Sequence, residues 1–488
     1  MSTTLPVPAQ VVQLDLDRPG GPWRPGFAAP VRPEGSVVAL VRRAGRPLGL
    51  VTLTPEAGPE VPPGVRPDNS DVRPGDDPDG PWDGDGLRRR LVEAAERDLG
   101  PEAGSGSGPG SGPAAVTTPP PAAPAPGVTS APLVSVIVCT RGRPTLLGDS
   151  LRALLRTDYP GTEFLVVDNA PEDDTTEHLI RTLAPGRLRY LCEPVPGLAR
   201  ARNRGLAAAR GEFVAFTDDD ALADPGWVAA IVAAFRADPR ISCVTGLVVP
   251  AELDTEAQAV FERYCGFGKG FAPRDWSLRT DGPDPLFPYA AGRFGTGANM
   301  AFRTSVLRDI GGFDPATGAG TPTRGGEDLL AFLRVLVAGH TLAYRPDAVV
   351  WHRHRRTMAA LDAQIKGFGV GLGAYLTAAV AHRPGLLVDL LRRLPAGTRY
   401  AVRRALTGRT QAGRAPTGRT PTRRTARGAT ATEPATHRRT EPAPAPAADG
   451  DPALARLGRL ELRGLVHGPF SYLVSLRQDR RFRAESRS

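Results

Sequence analysis

The chain has 488 residues, with 61 Lys and Arg against 52 Asp and Glu and with 56 glycines and 51 prolines, about 22% of all positions. This length allows two or three domains, and so much Gly and Pro excludes one uninterrupted run of helix and strand. The net charge of +9 is uneven: residues 1–132 sum to −4, 133–350 to −4 and 351–488 to +17, so a basic C-terminal quarter, not a basic protein, needs explaining.

Residues 36–54 read as two short β-branched runs around an Arg-Arg-Ala-Gly-Arg turn, which predicts a hairpin, and 86–99 as a short charged helix. Together 1–99 make a small N-terminal module. Residues 100–132 are nearly all Gly, Ser, Pro, Ala and Thr, too little apolar surface to offset chain entropy, so a disordered linker is expected. From 133 to 356 apolar runs alternate with helical patterns. Strands are predicted at 133–139, 163–167, 212–217 and 241–249, and helices are marked by Leu147, Leu151, Leu154 and Leu155, by Ile231, Ala234 and Phe235, and by 198–210. Continuous apolar strands separated by helices predict an α/β domain with a mostly parallel sheet covered on both faces. Residues 357–407 read as a helical extension, 408–449 as a second disordered segment rich in Arg, Thr and Pro, and 450–488 as a C-terminal basic segment.

Each of the first three strands ends in a polar cluster: Thr140-Arg-Gly-Arg143, Asp168-Asn169 and Asp218-Asp-Asp220. A parallel sheet would bring these ends to one crevice, where such sheets bind ligands. Three adjacent acids repel one another, and a divalent cation, Mn²⁺ or Mg²⁺, is one way to neutralise them, with Asp218 and Asp220 as a D-x-D pair that takes its remaining ligands from water and phosphates. Gly325-Gly-Glu-Asp328 opens an apolar-faced helix built on Leu329, Phe332, Leu333 and Leu336. The loop 318–326 is Gly-rich enough to act as a lid, and the aromatic stretch 252–296 would line a binding pocket or cover the sheet as ordinary core.

The segments Val134-Ser-Val-Ile-Val-Cys-Thr-Arg141, Glu163-Phe-Leu-Val-Val-Asp-Asn169, 201–220 ending in the acid triplet, Gly297-Ala-Asn-Met-Ala-Phe-Arg303, Ile310-Gly-Gly-Phe-Asp314 and Gly325-Gly-Glu-Asp328 resemble glycosyltransferase family 2 in order and spacing. The resemblance covers about 133–356 and neither tail. It implies a GT-A type nucleotide-sugar-binding fold with a mixed, mostly parallel sheet, and an inverting enzyme that moves a sugar from a nucleotide-diphosphate donor to an acceptor with a free hydroxyl. It places Thr140, Arg141, Asp168, Arg202 and Asn203 around the nucleotide, Asp218, Asp220 and His352 at the metal, and Asp328 or Glu327 as the base, with His354 competing for the place of His352. The chemistry agrees: a carboxylate-held cation neutralises the leaving diphosphate, and a carboxylate takes the acceptor's proton. The alternatives are a nucleotidyltransferase acting on a sugar phosphate, and a non-catalytic protein that binds an anionic surface through its Arg-rich tail and carries a degenerate glycosyltransferase core.

Cys139, Cys192, Cys243 and Cys265 form neither a CxxC nor a metal spacing, which predicts reduced thiols. The N-terminal residues lack a basic stretch followed by an apolar run, and no stretch reaches about 18 uninterrupted apolar residues. A cytoplasmic protein is therefore expected, with peripheral association to an anionic membrane surface through the basic C-terminal region; residues 367–396, with Phe368, Val370, Leu372, Tyr375, Leu376 and the leucines 386–394, read either as a membrane-surface segment or, the favoured reading, as helix packed against the catalytic domain. No aromatic residue interleaves with the arginines of 408–449, so nucleic acid is not expected.

Overall fold

The computed structural model describes residues 5–25, 35–55, 84–100, 131–279, 284–407 and 451–485. Most of the linker expected at 100–132 and all of 408–449 lie outside them.

The main sheet has nine strands. Four run parallel and side by side: β4 (Val134–Thr140) pairs with β5 (Thr162–Asn169) and β7 (Phe213–Asp218), and β5 pairs with β6 (Leu188–Glu193). β11 (Asn299–Arg303) then lies antiparallel between β7 and β9 (Ile241–Pro250), and β9 runs parallel to the long β12 (Thr341–His352). The short strands β8 (Ala221–Ala223) and β10 (Arg274–Trp276) pair antiparallel with β12. The sheet is mixed because β11, β8 and β10 run against their neighbours.

Side-chain alternation sorts the strands into two cores. Ile137, Leu165, Val167, Val214, Phe216 and Phe302 face one side, covered by α4 (Leu198–Ala208), α8 (Glu327–Val337) and α9 (Met358–His382). Val134, Val136, Val138, Phe164, Val166 and Ala215 face the other, covered by α2 (Pro144–Leu154), α3 (Thr175–Leu183) and α5 (Trp227–Ala237). α2 starts with Pro at its first turn and buries Leu147, Leu151 and Leu154, one residue per turn. α4 comes close enough to the sheet for Gly205 to lie against the Ile137 side chain, where any larger residue would collide. α6 (Glu256–Cys265) begins with a reciprocal Thr255–Gln258 capping box, and α7 (Thr304–Asp309) follows β11 directly.

In the N-terminal module, β2 (Ser36–Arg43) and β3 (Arg46–Leu53) form the expected hairpin, turning through Ala44 and Gly45, both at positive φ. β1 (Ala9–Asp15), absent from the sequence reading, joins β2 in parallel. One face of this sheet packs on α1 (Gly84–Leu99). The other, through Ala9, Val11, Val38 and Leu40, packs on Leu222, Leu247, Val249 and Trp351 of the main domain. Arg42 crosses this junction to Asp224 at 2.7 Å, both side chains nearly buried.

The C-terminal residues form α10 (Leu386–Thr407) and the 34-residue α11 (Pro452–Glu485). α11 lies along α9 through facing glycines: Gly369 and Gly373 meet its backbone, and Gly464 and Gly468 meet that of α9. Of the two readings of 367–396, packing against the domain holds for its first half: Val370 and Tyr375 of α9 are buried and Phe368, Leu372 and Leu376 pack against core clusters.

Candidate active site

The register of the parallel strands sets the site. Thr140 stands opposite Asp168 and Cys139 opposite Asp218, so the three polar clusters lie at one edge of the sheet. Thr140 is buried and donates to Asp219 Oδ2 at 2.7 Å, while Arg141 points outward and is exposed. Asp168 is buried, with the Tyr190 hydroxyl 3.4 Å from its Oδ2; burial raises its pKa, against the pull of the Thr176 and Tyr190 hydroxyls.

Asp218, Asp220 and His352 converge, each offering one ligand atom within 4.8 Å of the others. Two carboxylates and an imidazole suit Mn²⁺, which accepts nitrogen more readily than Mg²⁺. His352 Nε2 lies 3.2 Å from Asp220 Oδ1. Its Nδ1 meets His354 Nδ1 at 3.3 Å, and His354 Nε2 meets Glu262 Oε1 at 2.6 Å. His354 therefore stands behind His352, away from the acids, and passes the orientation set by Glu262 of α6 on to it. A His354 that donates through Nε2 to Glu262 accepts at Nδ1 from the His352 Nδ1–H, so His352 meets the acids through Nε2, as a donor to Asp220 Oδ1 when protonated and as a lone pair when a cation is held.

Cations offset the acids. Arg143 Nη1 is 3.1 Å from both Asp219 Oδ1 and Asp220 Oδ2, and Arg355 lies 3.9 Å from Asp220. Burial favours the neutral form of Asp220, but His352, Arg143 and Arg355 outweigh it and hold its pKa below the usual carboxylate range. Asp219 is pushed up to about 6, by burial first and then by repulsion from Asp220. Burial also raises Asp218, against the attraction of Arg202. Burial opposes the charge of His352, yet Asp220 raises its pKa overall.

Arg202, expected beside the nucleotide, is buried inside the site. Its Nη1 reaches Glu327 Oε1 at 2.9 Å, and its Nη2 reaches Asp218 Oδ1 at 3.3 Å and the Gly297 carbonyl at 3.2 Å. It joins the acid triplet to the start of α8. Asn203, one residue on, turns away: its amide nitrogen donates to the Phe313 carbonyl at 2.7 Å, and its oxygen accepts from the Phe313 N–H at 2.9 Å. Both ends of that side chain are committed to the turn 310–314, so Asn203 braces the fold.

Gly326 precedes α8 at φ 94°, its α-carbon side packed against Gly371 of α9, so a β-carbon there meets both strain and a clash. This turn places two different carboxylates side by side. Glu327 is buried, its Oε2 without a hydrogen-bond partner among the described residues, and burial pushes its pKa up to about 7 despite Arg202. Asp328 is half-buried, Oδ2 accepting from the Gly297 N–H and Oδ1 from the Leu329 N–H, both at 2.8 Å. The loop expected to act as a lid is pinned: Gly318 N–H bonds the Gly325 carbonyl, Leu198 N–H bonds that of Ala319, and Thr317 and Thr323 are fully buried. Phe261, Tyr264, Phe287 and Tyr289 are buried, so these aromatics of 252–296 are core.

The sequence reading missed Arg143, Asp219, Arg355, His354 as a brace and Glu262. The first four lie within or beside motifs it quoted. Glu262 is some ninety residues from His354, with no local signal of the contact.

The central α/β domain is thus a mixed sheet carrying acids at the carboxyl ends of its parallel strands, with a further acid pair opening a helix beside them. Residues 135–311 match the family model described as glycosyl transferase family 2. The chain is 33% identical over 186 residues to a pre-mycofactocin glycosyltransferase of Mycobacterium tuberculosis, covering 38% of this chain and 36% of that protein. It is 34% identical over 129 residues to a validoxylamine A glucosyltransferase of Streptomyces hygroscopicus subsp. limoneus, covering 25% and 28%. The match thus spans about a third of the length of these relatives. Among solved structures it is similar to a mannosyltransferase from Pyrobaculum calidifontis in complex with GDP-Man and Mn²⁺, at 24% identity and a TM-score of 0.39, over 58% of this chain and 78% of that one.

Proposed function

We propose that the protein is an inverting glycosyltransferase that moves a sugar from a nucleotide-diphosphate donor to an acceptor hydroxyl with the help of a divalent cation. The observation that carries this reading is the meeting of Asp218, Asp220 and His352 at one sheet edge, joined through Arg202 to the acid pair that opens α8. Asp218, Asp220 and His352 would hold the cation, which when bound supplies positive charge to the leaving diphosphate. Arg143 and Arg355, each about 39% exposed at the side chain, offer guanidinium groups to the same phosphates. Thr140, Arg141 and Asp168 at the ends of β4 and β5 would receive the nucleoside.

Asp328 is the base in this reading. It is the more accessible acid of the pair, and after accepting two backbone N–H groups it keeps free lone pairs for an acceptor hydroxyl. Glu327, sealed behind Arg202, orients that cation instead. Attack from the face opposite the leaving diphosphate inverts the anomeric carbon.

The test is a panel of nucleotide sugars incubated with the full chain and Mn²⁺, reading the nucleoside diphosphate released and the product anomer by NMR. Donor-dependent release that is lost in Asp220→Ala supports the reading. Release of pyrophosphate, or full turnover in Asp220→Ala, sinks it.

A further inference from the structure

Twelve large apolar side chains stand exposed among the described residues, and ten of them lie on α10 and α11. Those on α10 are Leu387, Val388, Leu391, Leu394, Val402 and Leu406, with exposures from 44% to 70%. Positions 387, 391, 394, 402 and 406 recur at helical spacing and share one side of the helix. The other side is anchored: Leu386 and Leu390 pack on the core, and Arg393 donates to the Pro285 carbonyl at 3.0 Å. The apolar strip therefore faces away from the body of the protein. Folded monomers seldom leave so continuous an apolar strip uncovered.

Three occupants compete for this face, and charge and composition separate them. The chain's own segment 408–450 contains no Val, Ile, Leu, Met, Phe, Tyr or Trp, so it has nothing with which to bury a row of leucines. A second copy would bring like charge to like charge, since α10 carries five arginines against the single Asp389, which Arg393 already pairs at 3.0 Å. An anionic bilayer suits both features. Leucines on one side of a helix and exposed arginines such as Arg392 and Arg399 beside them are the composition of a helix lying at the lipid interface. Segment 408–450 adds eight arginines against three acids directly after the helix. No helix among the described residues is long and apolar enough to cross a membrane, so the contact is with the surface.

We propose that α10 is an interfacial helix that docks this protein on an anionic lipid bilayer through its Leu387–Leu406 strip, with the flanking arginines on the headgroups. The inference stands apart from the proposed glycosyl transfer, and either can fail without the other.

The test is co-sedimentation of the full chain with vesicles of phosphatidylglycerol and phosphatidylcholine, against phosphatidylcholine alone. Binding is expected on the anionic vesicles, weakening with added salt. The combined Val388→Glu, Leu391→Glu and Leu394→Glu variant should lose at least about tenfold in vesicle affinity. All three side chains are exposed, so circular dichroism should report an unchanged fold. Arg392→Ser with Arg399→Ser should weaken binding to the anionic vesicles by about tenfold or more and leave the apolar strip intact. The proposal is overturned by a folded wild-type chain that ignores anionic vesicles, or by a triple variant that binds as well as wild type. It is equally overturned if light scattering shows a wild-type dimer that the triple variant turns into a monomer, because the strip would then belong to a second copy.

Discussion

Arg202 balances much of the buried charge of the site: one guanidinium, 3% exposed, serves Glu327 and Asp218 from two different elements. Replacing it with Met would leave the buried Glu327 carboxylate, and the partly exposed Asp218 beside it, without that cation. Loss of one partner of a buried ion pair typically costs about 3–5 kcal/mol, so Arg202→Met should lower the urea midpoint markedly. Titration gives a second expectation. Glu327 and Asp219 both have folded-state pKa values raised above their ordinary ones, to about 7 and about 6, chiefly by burial. The folded protein therefore holds protons that the unfolded chain has already released. Their contribution to stability is fully present below the ordinary carboxylate pKa and is lost as pH rises through about 6 to 7. In chelator-treated protein, urea midpoints should fall between about pH 5 and about pH 8, and Glu327→Gln should flatten that slope. At the far side of the cluster, Glu262→Ala should weaken Mn²⁺ binding by about 10- to 100-fold in calorimetry, because His352 loses the brace that orients its ring. Of these residues Asp218, Asp220, His352 and Glu327 were legible in the sequence, because their motifs are local. Glu262 and the inward turn of Arg202 were not, because both depend on which helix packs where.

Individual elements position these residues through close backbone contact. α8 begins at Gly326, whose positive φ and contact with Gly371 of α9 leave no room for a β-carbon. α9 in turn is held by α11 through Gly369, Gly373, Gly464 and Gly468. Packing thus runs from the C-terminal helix to the acid pair. Gly468→Val should force the two helices apart at a cost of about 1–3 kcal/mol, visible as a lower melting temperature. β4, β5, β7 and β9 were legible because strands buried on both faces read as continuous apolar runs. β12 was not, since Arg345-Pro-Asp347 interrupts it at the register shift against β9. β11 was hidden for another reason: Asn299 sits inside it, its amide satisfied by the Leu247 and Ala348 carbonyls and by the Trp227 indole, so a polar residue occupies a core strand position.

Across the whole molecule, both terminal parts are tied to the central domain. Arg42 of the N-terminal module and Asp224 form a nearly buried pair, and Arg42→Ala should destabilise the protein by about 3 kcal/mol in denaturant unfolding by stranding the carboxylate. At the other end α11 reaches α4, the turn 310–314, α6 and α10. Asp479 pairs with Arg200 of α4, Tyr472 donates to Asp314 at 3.0 Å beside His382, and Glu461 meets both Tyr264 and Arg404. The sequence alone determined the central α/β domain and the acids that gather at one sheet edge, because alternating apolar runs and contiguous motifs are written locally along the chain. Only the tertiary structure decided that Arg202 turns inward, that Asn203 turns away, that His354 stands behind His352, and that the basic C-terminal helix is packed into the fold. Each of these rests on contacts between segments far apart in sequence, where the neighbour that satisfies a charge or fills a glycine's space is known only after the chain has folded.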